Sequence, residues 1–213
     1  MQKIMTKDKC YDWRHLVDTY QSIISPNNVV VEIGSSTAHR TLELSRHCRN
    51  LIGIEKFPER ISHNLSSGKN NIRIINTDWY KLSKVVPLGS INIVVASHVI
   101  EHVKNDVRCL NETFKVLKRG GYLLFNTPNR KRLTRSVIEL FTGERKFPYW
   151  EHMREYTRLD LEKLIASSKF SDSKVKITGF VLGIHGMGIK IFLKKFPTFL
   201  DKFSNFWEVL IQK

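Results

Sequence analysis

The sequence predicts an α/β fold with a doubly wound, mostly parallel β-sheet and helices on both of its faces. Short apolar runs rich in β-branched residues recur along the chain, as expected for strands buried on both faces of a parallel sheet. Segments with helical spacing of apolar residues lie between these runs, and such alternation is typical of doubly wound sheets. The composition, with 41% hydrophobic and 26% charged residues, is that of a globular protein.

Five apolar runs are predicted as strands. They are Asn28–Gly34, Leu51–Glu55, Ile72–Asp78, Ile91–Ser97 and Tyr122–Asn126. A helix is expected before the first run, led by residues 11–13 and continuing through Ile24, because Pro26 then stops it. A shorter helix over residues 41–48 should follow the first strand, and Pro58 suits the first turn of another.

One longer helix is predicted between the fourth and fifth strands. Its apolar residues recur at spacings of four and three and form one stripe: Val103, Val107, Leu110, Phe114 and Leu117. The pair Gly120-Gly121 is expected to terminate this helix. After the fifth strand we expect a helix near Leu159–Ser168, a strand near Val175–Val181 and a last strand near Trp207–Gln212.

The charge is the unusual feature of the composition. The chain carries 35 Lys and Arg against 20 Asp and Glu, a formal net charge of +15. Its densest basic cluster is Arg130–Arg132 with Arg135, which is either solvated surface or the binding site of a phosphate-bearing partner. No apolar run approaches the roughly 18 residues of a membrane span, and the first ten residues lack the apolar core of a signal peptide. The expected location is cytoplasmic.

The positions of the cysteines argue against a disulfide framework and against a cysteine zinc site. Cys10, Cys48 and Cys109 are scattered and have no CxxC spacing. This pattern indicates neither a disulfide framework nor a cysteine zinc site, and no metal site is expected. Nor does any of the three have the context of a covalent nucleophile.

The ends of the predicted strands hold the first candidate site residues, because ligands of an open α/β sheet bind outside the carboxyl ends of its strands. Glu55 lies 21 residues after Gly34, close to the spacing of about 20 between a glycine turn and an acid that binds ribose hydroxyls. The turn over residues 32–38 has small residues at positions 34, 36 and 38. This G-x-G-x-G-like turn suits a nucleoside carrying a carboxylate better than a pyrophosphate.

In combination these segments resemble the class I S-adenosylmethionine-dependent methyltransferases, especially a small-molecule subgroup with an acid-His pair after the fourth strand. The matching stretches are VVVEIGSSTA, LIGIEKF, INTDW, INIVVASHVIEHV, FKVLKRGGYLLFNTPN and HMREYTRLDLEKLIASSKF. The resemblance implies a Rossmann-like seven-stranded sheet in the order 3-2-1-4-5-7-6. It also implies one methyltransferase domain over 1–213, with an N-terminal helical segment (1–27), a cofactor-binding core (28–128) and acceptor-side and C-terminal elements (129–213).

The resemblance further implies S-adenosylmethionine as cofactor and a role for each matching residue. The implied cofactor-binding residues are Glu32, Gly34, Ser35, Ser36, Ala38, Glu55, Lys56, Asp78, Trp79, Ser97 and His98. Glu55 would accept hydrogen bonds from both ribose hydroxyls, Asp78 would meet the adenine amino group, and Trp79 would lie alongside the ring. Ser97 and His98 would lie beside the sulfonium.

Structural interpretations of the same residues stay open. Glu55 and Asp78 are also the kind of residue that caps a helix or pairs with a surface lysine, although the spacing favours the cofactor role, and Trp79 is equally a core aromatic. His102 is a candidate for the top of the following helix. Ser36 and Ala38 replace glycines of the family pattern.

The acceptor and the base are less constrained by the sequence. A hydroxyl acceptor must lose its proton, which favours a histidine or a carboxylate near the methyl group, and the catalytic candidates are His98, His102 and His152, with Glu101 beside them. We expect methylation of an oxygen or nitrogen of a small molecule, with lipid-linked and saccharide intermediates among the candidate acceptors. An RNA methyltransferase is the alternative that the charge suggests, and a non-catalytic scaffold is the one that the altered turn suggests.

The C-terminal segment carries a further periodic pattern. Its phenylalanines are again spaced four and three apart, with lysines off the stripe: Phe192, Phe196, Phe199, Phe203 and Phe206. The pattern predicts a helix that packs on the domain, forms a dimer seam, or lies as a basic amphipathic helix on anionic lipid. The expected assembly is a monomer or a homodimer, with peripheral membrane contact as an open alternative.

Overall fold

The computed structural model describes residues 14–35, 38–61, 71–132, 135, 139–140, 151–180, 182–184, 189–191 and 198–213. Within these ranges seven strands form one sheet: β1 (Val29–Ile33), β2 (Asn50–Glu55), β3 (Ile72–Asn76), β4 (Ile91–Ser97), β5 (Leu117–Pro128), β6 (Lys174–Phe180) and β9 (Phe206–Gln212). Their order across the sheet is β3-β2-β1-β4-β5-β9-β6. Since β9 is the seventh of these strands along the chain, this is the predicted order 3-2-1-4-5-7-6.

Two further strands, β7 (Leu182–Ile184) and β8 (Ile189–Ile191), pair with each other in a separate antiparallel ribbon that the sequence did not predict. The helices are α1 (Arg14–Ile23), α2 (Ala38–Ser45), α3 (Leu82–Val85), α4 (Asp106–Val116) and α5 (Arg158–Ala166). Short 3-10 helices span Pro58–Arg60, Trp79–Lys81, Ile100–His102 and Thr198–Phe203. Among the helices described, none combines the length and the apolar character needed to cross a membrane.

Side-chain alternation along the central strands builds a core on each face of the sheet. Val30 of β1 packs with Leu16 of α1 and Leu44 of α2 on one face. Its neighbour Val31 packs with Leu110 of α4 on the other. The strands β1 to β5 run parallel, whereas β9 is antiparallel to both β5 and β6. Helices therefore cover both faces, as predicted.

The prediction for the end of the fourth helix was wrong. Helix α4 ends at Val116, and Leu117 is already paired with Ile91 as the first residue of β5. Gly120 lies inside β5 with φ of +74°, so it bends the strand rather than terminating the helix. A Cβ on Gly121 would lie 2.9 Å from the Asn92 carbonyl oxygen, so the strand can approach β4 only with glycine there.

The predicted C-terminal phenylalanine helix was also wrong. The segment Thr198–Phe203 is a 3-10 helix, and Phe206 is the first residue of β9, paired with Pro128 of β5 and Phe180 of β6. Phe192 and Phe196 lie outside the described residues. The pairing of β9 with two strands overrides the helical spacing, because it buries Phe206 against Phe180.

Two shorter predictions shift at their ends. Cys48 is buried but lies three residues beyond the end of α2, so it does not belong to that helix. His102 ends the 3-10 helix and does not begin α4, which Asn105 caps by accepting a hydrogen bond from the Arg108 N–H at 2.9 Å. Residues 11–13 lie outside the described part of the chain.

Candidate active site

The predicted site residues gather at one edge of the sheet. Glu55 and Ser97 are the last residues of β2 and β4, while Gly34 and Asp78 follow β1 and β3 by one and two residues. Because these four strands are parallel, their carboxyl ends meet at the same edge. The Gly34 N–H donates to the Ile54 carbonyl at 2.8 Å, which ties the turn after β1 to the end of β2.

The turn after β1 is built for close approach. Gly34 has φ of +77°, a conformation that other residues rarely adopt, and a Cβ there would lie 2.7 Å from Val99 Cγ2. Next to it, the Ser35 hydroxyl is buried and makes no hydrogen bond to any described residue. Ser36 lies outside the described residues, and Ala38 is the first residue of α2. A glycine, a buried hydroxyl and a helix start thus stand together at the edge of the sheet.

The buried carboxylate of Glu32 holds this turn in place. This carboxylate is 1% exposed and accepts hydrogen bonds from Arg40 Nε at 2.9 Å and from the Thr41 hydroxyl at 2.5 Å. Arg40 Nη2 also donates to the Gly34 carbonyl at 3.0 Å, so one side chain links the carboxylate to the turn. Burial raises the pKa of Glu32, and the charge of Arg40 opposes that rise. Glu32 therefore positions the turn.

Glu55 and Asp78 have different surroundings. Glu55 is 4% exposed, and its Oε1 accepts a hydrogen bond from the Phe57 N–H at 3.0 Å. Asp78 caps the 3-10 helix after it by accepting from the Tyr80 N–H at 3.1 Å, and its other oxygen lies 3.1 Å from Lys56 Nζ. Both structural interpretations of Asp78 thus hold in this structure, whereas Glu55 is a buried carboxylate facing the strand ends.

Trp79 belongs to the hydrophobic core. Its side chain is 3% exposed, and its indole N–H donates to the Thr113 hydroxyl of α4 at 2.9 Å. A contact between Trp79 and a base ring remains a prediction from the family resemblance.

His98 stands at the end of β4 in a strained conformation. Its φ is +53°, and within the described residues it is the only residue other than glycine with positive φ. Such a conformation costs on the order of 1–3 kcal/mol and persists only where the surroundings impose it. Asn126 at the neighbouring position of β5 imposes it here, since the His98 N–H lies 3.1 Å from Asn126 Oδ1 and 3.2 Å from the Asn126 carbonyl.

The His98 ring is oriented by a buried carboxylate. Its Nδ1 lies 3.0 Å from Oε1 of Glu101, which is fully buried, and the ring meets Phe206 edge-on at 5.1 Å. The Thr127 hydroxyl donates to the other oxygen of Glu101 at 3.2 Å. Although burial raises the pKa of Glu101, the hydrogen bond and charge of His98 outweigh it and hold the pKa below its ordinary value. Glu101 is therefore an ionised carboxylate beside the histidine.

The structure brings the other two candidate bases to the same carboxylate. The backbone oxygen of Glu101 accepts from the Met153 N–H at 2.8 Å, which docks residues 151–156 onto the 3-10 helix Ile100–His102. The rings of His102 and His152 meet edge-on at 4.9 Å. The three candidate histidines, two from the segment after β4 and one from residues 151–156, thus cluster around Glu101.

Part of the basic cluster faces inward. Arg132 and Arg135 are 9% and 7% exposed, and both donate to Glu155, which lies next to His152. Burial raises the pKa of Glu155, but the His152 hydrogen bond and the two guanidinium groups lower it to about 2. The expectation that this whole cluster is solvated or binds a phosphate was wrong for these two arginines, while Arg130 and Lys131 are exposed.

Asn126 and Glu155 are the residues that the sequence did not single out. Asn126 ends the predicted fifth strand, and the strand-end rule that selected Ser97 could have found it. Nothing in the local sequence distinguishes Glu155 from a surface glutamate, because its partners lie some twenty residues away.

Comparisons with known proteins show the family to which this chain is similar. The methyltransferase-domain family matches residues 3–172. A probable S-adenosylmethionine-dependent methyltransferase of Mycolicibacterium smegmatis is 34% identical over 162 residues, which cover 75% of this chain and 56% of that protein. The chain thus spans little more than half the length of this curated relative.

Solved structures share the fold. A methyltransferase from Archaeoglobus fulgidus superposes with a TM-score of 0.66 at 17% identity and covers 97% of both chains. Magnesium protoporphyrin IX methyltransferase from Synechocystis, solved with bound S-adenosylhomocysteine, gives a TM-score of 0.61 at 13% identity, over 93% of this chain and 78% of the other. With its strand order, its turn after β1 and its matched domain, this chain belongs to the class I S-adenosylmethionine-dependent methyltransferases.

Proposed function

We propose that the protein transfers a methyl group from S-adenosylmethionine to an oxygen or nitrogen of a small-molecule acceptor. The observation that carries this proposal is the juxtaposition of a glycine turn and a buried carboxylate with the His98–Glu101 pair at one sheet edge. The first two suit a nucleoside cofactor, and the pair suits removal of a proton from an acceptor.

The residues present fit the cofactor of the family. The Ser35 hydroxyl is buried beside Gly34 and has no hydrogen-bond partner among the described residues, so it can serve a bound polar group. Gly34 leaves the turn open, since a Cβ at this position would occupy the space inside it. Glu55 presents a buried carboxylate, the acceptor that ribose hydroxyls require. When bound, S-adenosylmethionine supplies an electrophilic methyl group on a sulfonium.

His98 has the geometry of a general base. Its Nδ1 faces the ionised Glu101, which can only accept a hydrogen bond, so the proton of a neutral ring is on Nδ1 and Nε2 is the basic nitrogen. His98 would take the proton of the acceptor at Nε2 as the acceptor receives the methyl group that the bound cofactor would supply, which would leave S-adenosylhomocysteine. Glu101 orients the ring and stabilises the imidazolium, as a carboxylate does beside a catalytic histidine.

Cofactor binding is tested by thermal unfolding with S-adenosylhomocysteine. A ligand at 100 times its Kd stabilises a protein by about 2.7 kcal/mol, so the wild type should unfold at a higher temperature. The variant Glu55→Ala should lose most of this shift, because the buried acceptor for the ribose is gone. Glu59→Ala, which removes an exposed carboxylate four residues away, is the matched control and should keep it.

Two results would count against the proposal. A wild-type protein that shows no shift with either S-adenosylmethionine or S-adenosylhomocysteine would favour the scaffold alternative. A full shift in Glu55→Ala would mean that the cofactor binds elsewhere. Given a shift, release of S-adenosylhomocysteine in the presence of small hydroxyl and amine compounds then identifies the acceptor class.

A further inference from the structure

We propose that Glu101, His102 and His152 form a binding site for a divalent transition-metal ion. One ligand atom from each of these residues, a carboxylate oxygen and two imidazole nitrogens, lies within 4.8 Å of the other two. The sequence indicated no metal site, because His152 is 50 positions from His102 and no spacing rule joins them. The fold joins them, since the Met153 N–H binds the Glu101 carbonyl.

Both histidines present the nitrogen that a metal needs. Nδ1 of His102 lies 3.0 Å from the carbonyl oxygen of Glu151, and Nδ1 of His152 lies 3.2 Å from Oε1 of Glu155. Each partner is an oxygen that accepts, so in the neutral rings the proton is on Nδ1 and the lone pair is on Nε2. Metal-binding histidines almost always donate their other ring N–H to a carbonyl or carboxylate, which fixes the tautomer and ring orientation.

The carboxylate ligand is fixed as firmly as the rings. Glu101 is fully buried, and its oxygens accept from His98 and Thr127 at 3.0 and 3.2 Å. A carboxylate offers about four lone-pair positions, so these two hydrogen bonds leave capacity for an ion.

The segment that carries His152 is anchored on both sides. Arg154 donates to Asp106 Oδ2 at 2.6 Å and to the Lys104 carbonyl at 2.7 Å, and Glu155 is held by Arg132 and Arg135. Ligand atoms that share an ion at 2.0–2.2 Å lie about 3 to 4.4 Å apart, so binding draws the three ligand atoms together by no more than about 1.8 Å. Side-chain rotation of the exposed His102 can supply such a movement.

The ligand set selects the class of ion. Two imidazoles and one carboxylate suit Zn²⁺, Fe²⁺ and neighbouring transition metals, whereas Ca²⁺ and Mg²⁺ prefer oxygen ligands. Three protein ligands leave positions open for water or a substrate oxygen. A hydroxyl acceptor bound there would have a lowered pKa, close to the base His98. This role in transfer rests on the proposed function, but metal binding itself does not.

Metal binding can be measured on the full chain without cofactor. Protein stripped with a chelator and dialysed is titrated with Co²⁺, followed by visible absorption, and Zn²⁺ is then added as a competitor. We expect one Co²⁺ per chain, displacement by Zn²⁺, and no competition from equimolar Ca²⁺. His102→Ala and His152→Ala should each weaken binding at least tenfold. His47→Ala, which removes another histidine beside a glutamate, should leave it unchanged.

The outcomes separate the two proposals. Absence of stoichiometric Co²⁺ binding by the folded wild type, or equal binding by the His102→Ala/His152→Ala double variant, overturns the metal site. Since His102 is exposed, His102→Ala tests the site without threatening the fold. Metal binding without any S-adenosylhomocysteine shift would leave the site standing and remove the proposed function. A cofactor shift without metal binding would do the reverse.

Discussion

At the scale of single residues, the candidate site is defined by strain that its neighbours impose. A histidine in the left-handed region is costly, and Asn126 holds the His98 N–H in that conformation through its side chain and its carbonyl. The imidazole is thereby held against the buried Glu101. A strained backbone that two neighbouring strands enforce at the end of a sheet is typical of a functional position.

This strain allows the base to be removed without disturbing the turn. Asparagine tolerates positive φ better than most residues, so His98→Asn should keep the backbone turn. Loss of the ring's hydrogen bond to the buried Glu101 should lower the free energy of unfolding by about 1–3 kcal/mol. The variant should still be stabilised by S-adenosylhomocysteine. Methyl transfer should fall about 10²–10⁴-fold, the range of general-base catalysis. Single-turnover rates with a hydroxyl acceptor test this expectation, and a variant with wild-type rates would exclude His98 as the base.

Some residues of the site were predictable from the sequence, whereas the contacts that bring the others together were not. Gly34, Glu55 and Ser97 follow from one rule, that strand ends of an open sheet face the ligand, and they meet at one edge. The clustering of His98, His102 and His152 around Glu101 depends on residues 151–156 docking onto a distant 3-10 helix, which no local pattern encodes. The inward turn of Arg132 and Arg135 likewise depends on Glu155, a partner on another segment.

At the scale of elements, the buried strands were predictable from their local pattern, and their order across the sheet only from the family resemblance. A strand covered on both faces reads as a continuous β-branched run, so the first four strands begin and end within two residues of their predicted limits. The helix predicted from the C-terminal phenylalanines is not observed. Phe206 pairs with β5 and β6 instead, and this long-range interaction outweighs the helical spacing. Leu117 likewise leaves the helical stripe because it pairs with Ile91.

Helix α5 provides a test of local capping. The Thr157 hydroxyl accepts from the Asp160 N–H at 3.2 Å, and Asp160 Oδ2 accepts from the Thr157 N–H at 2.9 Å. Thr157→Ala should therefore lower the free energy of unfolding by about 1 kcal/mol. Denaturant unfolding at pH 7 measures this loss, and an unchanged midpoint would show that the hydrogen bonds between Thr157 and Asp160 do not stabilise the helix.

The reciprocal hydrogen bonds of Thr157 and Asp160 also predict that the stability of the protein depends on pH. Burial raises the pKa of Asp160, but hydrogen bonds from Thr157 outweigh it, so the folded pKa lies below the ordinary value. The unfolded state then binds the proton more readily, and stability from Asp160 is present above its ordinary pKa and lost as the pH falls through the folded pKa. Asp160→Asn should destabilise the protein at pH 7 and by less at pH 3. An equal loss at both pH values would contradict the assignment.

At the scale of the whole molecule, the net charge of +15 is not one uniform surface. Two arginines of its densest cluster, Arg132 and Arg135, are internal and paired with Glu155, and Arg135 also pairs with Glu139. The carboxylates Glu55 and Glu101 stand at the sheet edge where a cofactor would bind. The charge therefore says little about the reaction. Arg130 and Lys131 of the same cluster remain exposed at the surface.

The buried ion-pair network around Glu155 is expected to contribute to the stability of the protein. Glu155 joins the segment after β5 to the segment that carries His152, with its carboxylate fully buried between Arg132 and Arg135. Glu155→Gln keeps the shape but leaves the buried guanidinium of Arg132 without the carboxylate that pairs with it, whereas Arg135 keeps its ion pair with Glu139. Removing one partner of a buried pair costs about 3–5 kcal/mol. Glu162→Gln, which breaks an exposed pair with Arg158, should cost no more than about 1 kcal/mol. Equilibrium unfolding of both variants measures the difference, and equal losses would show that the buried network does not hold these segments together.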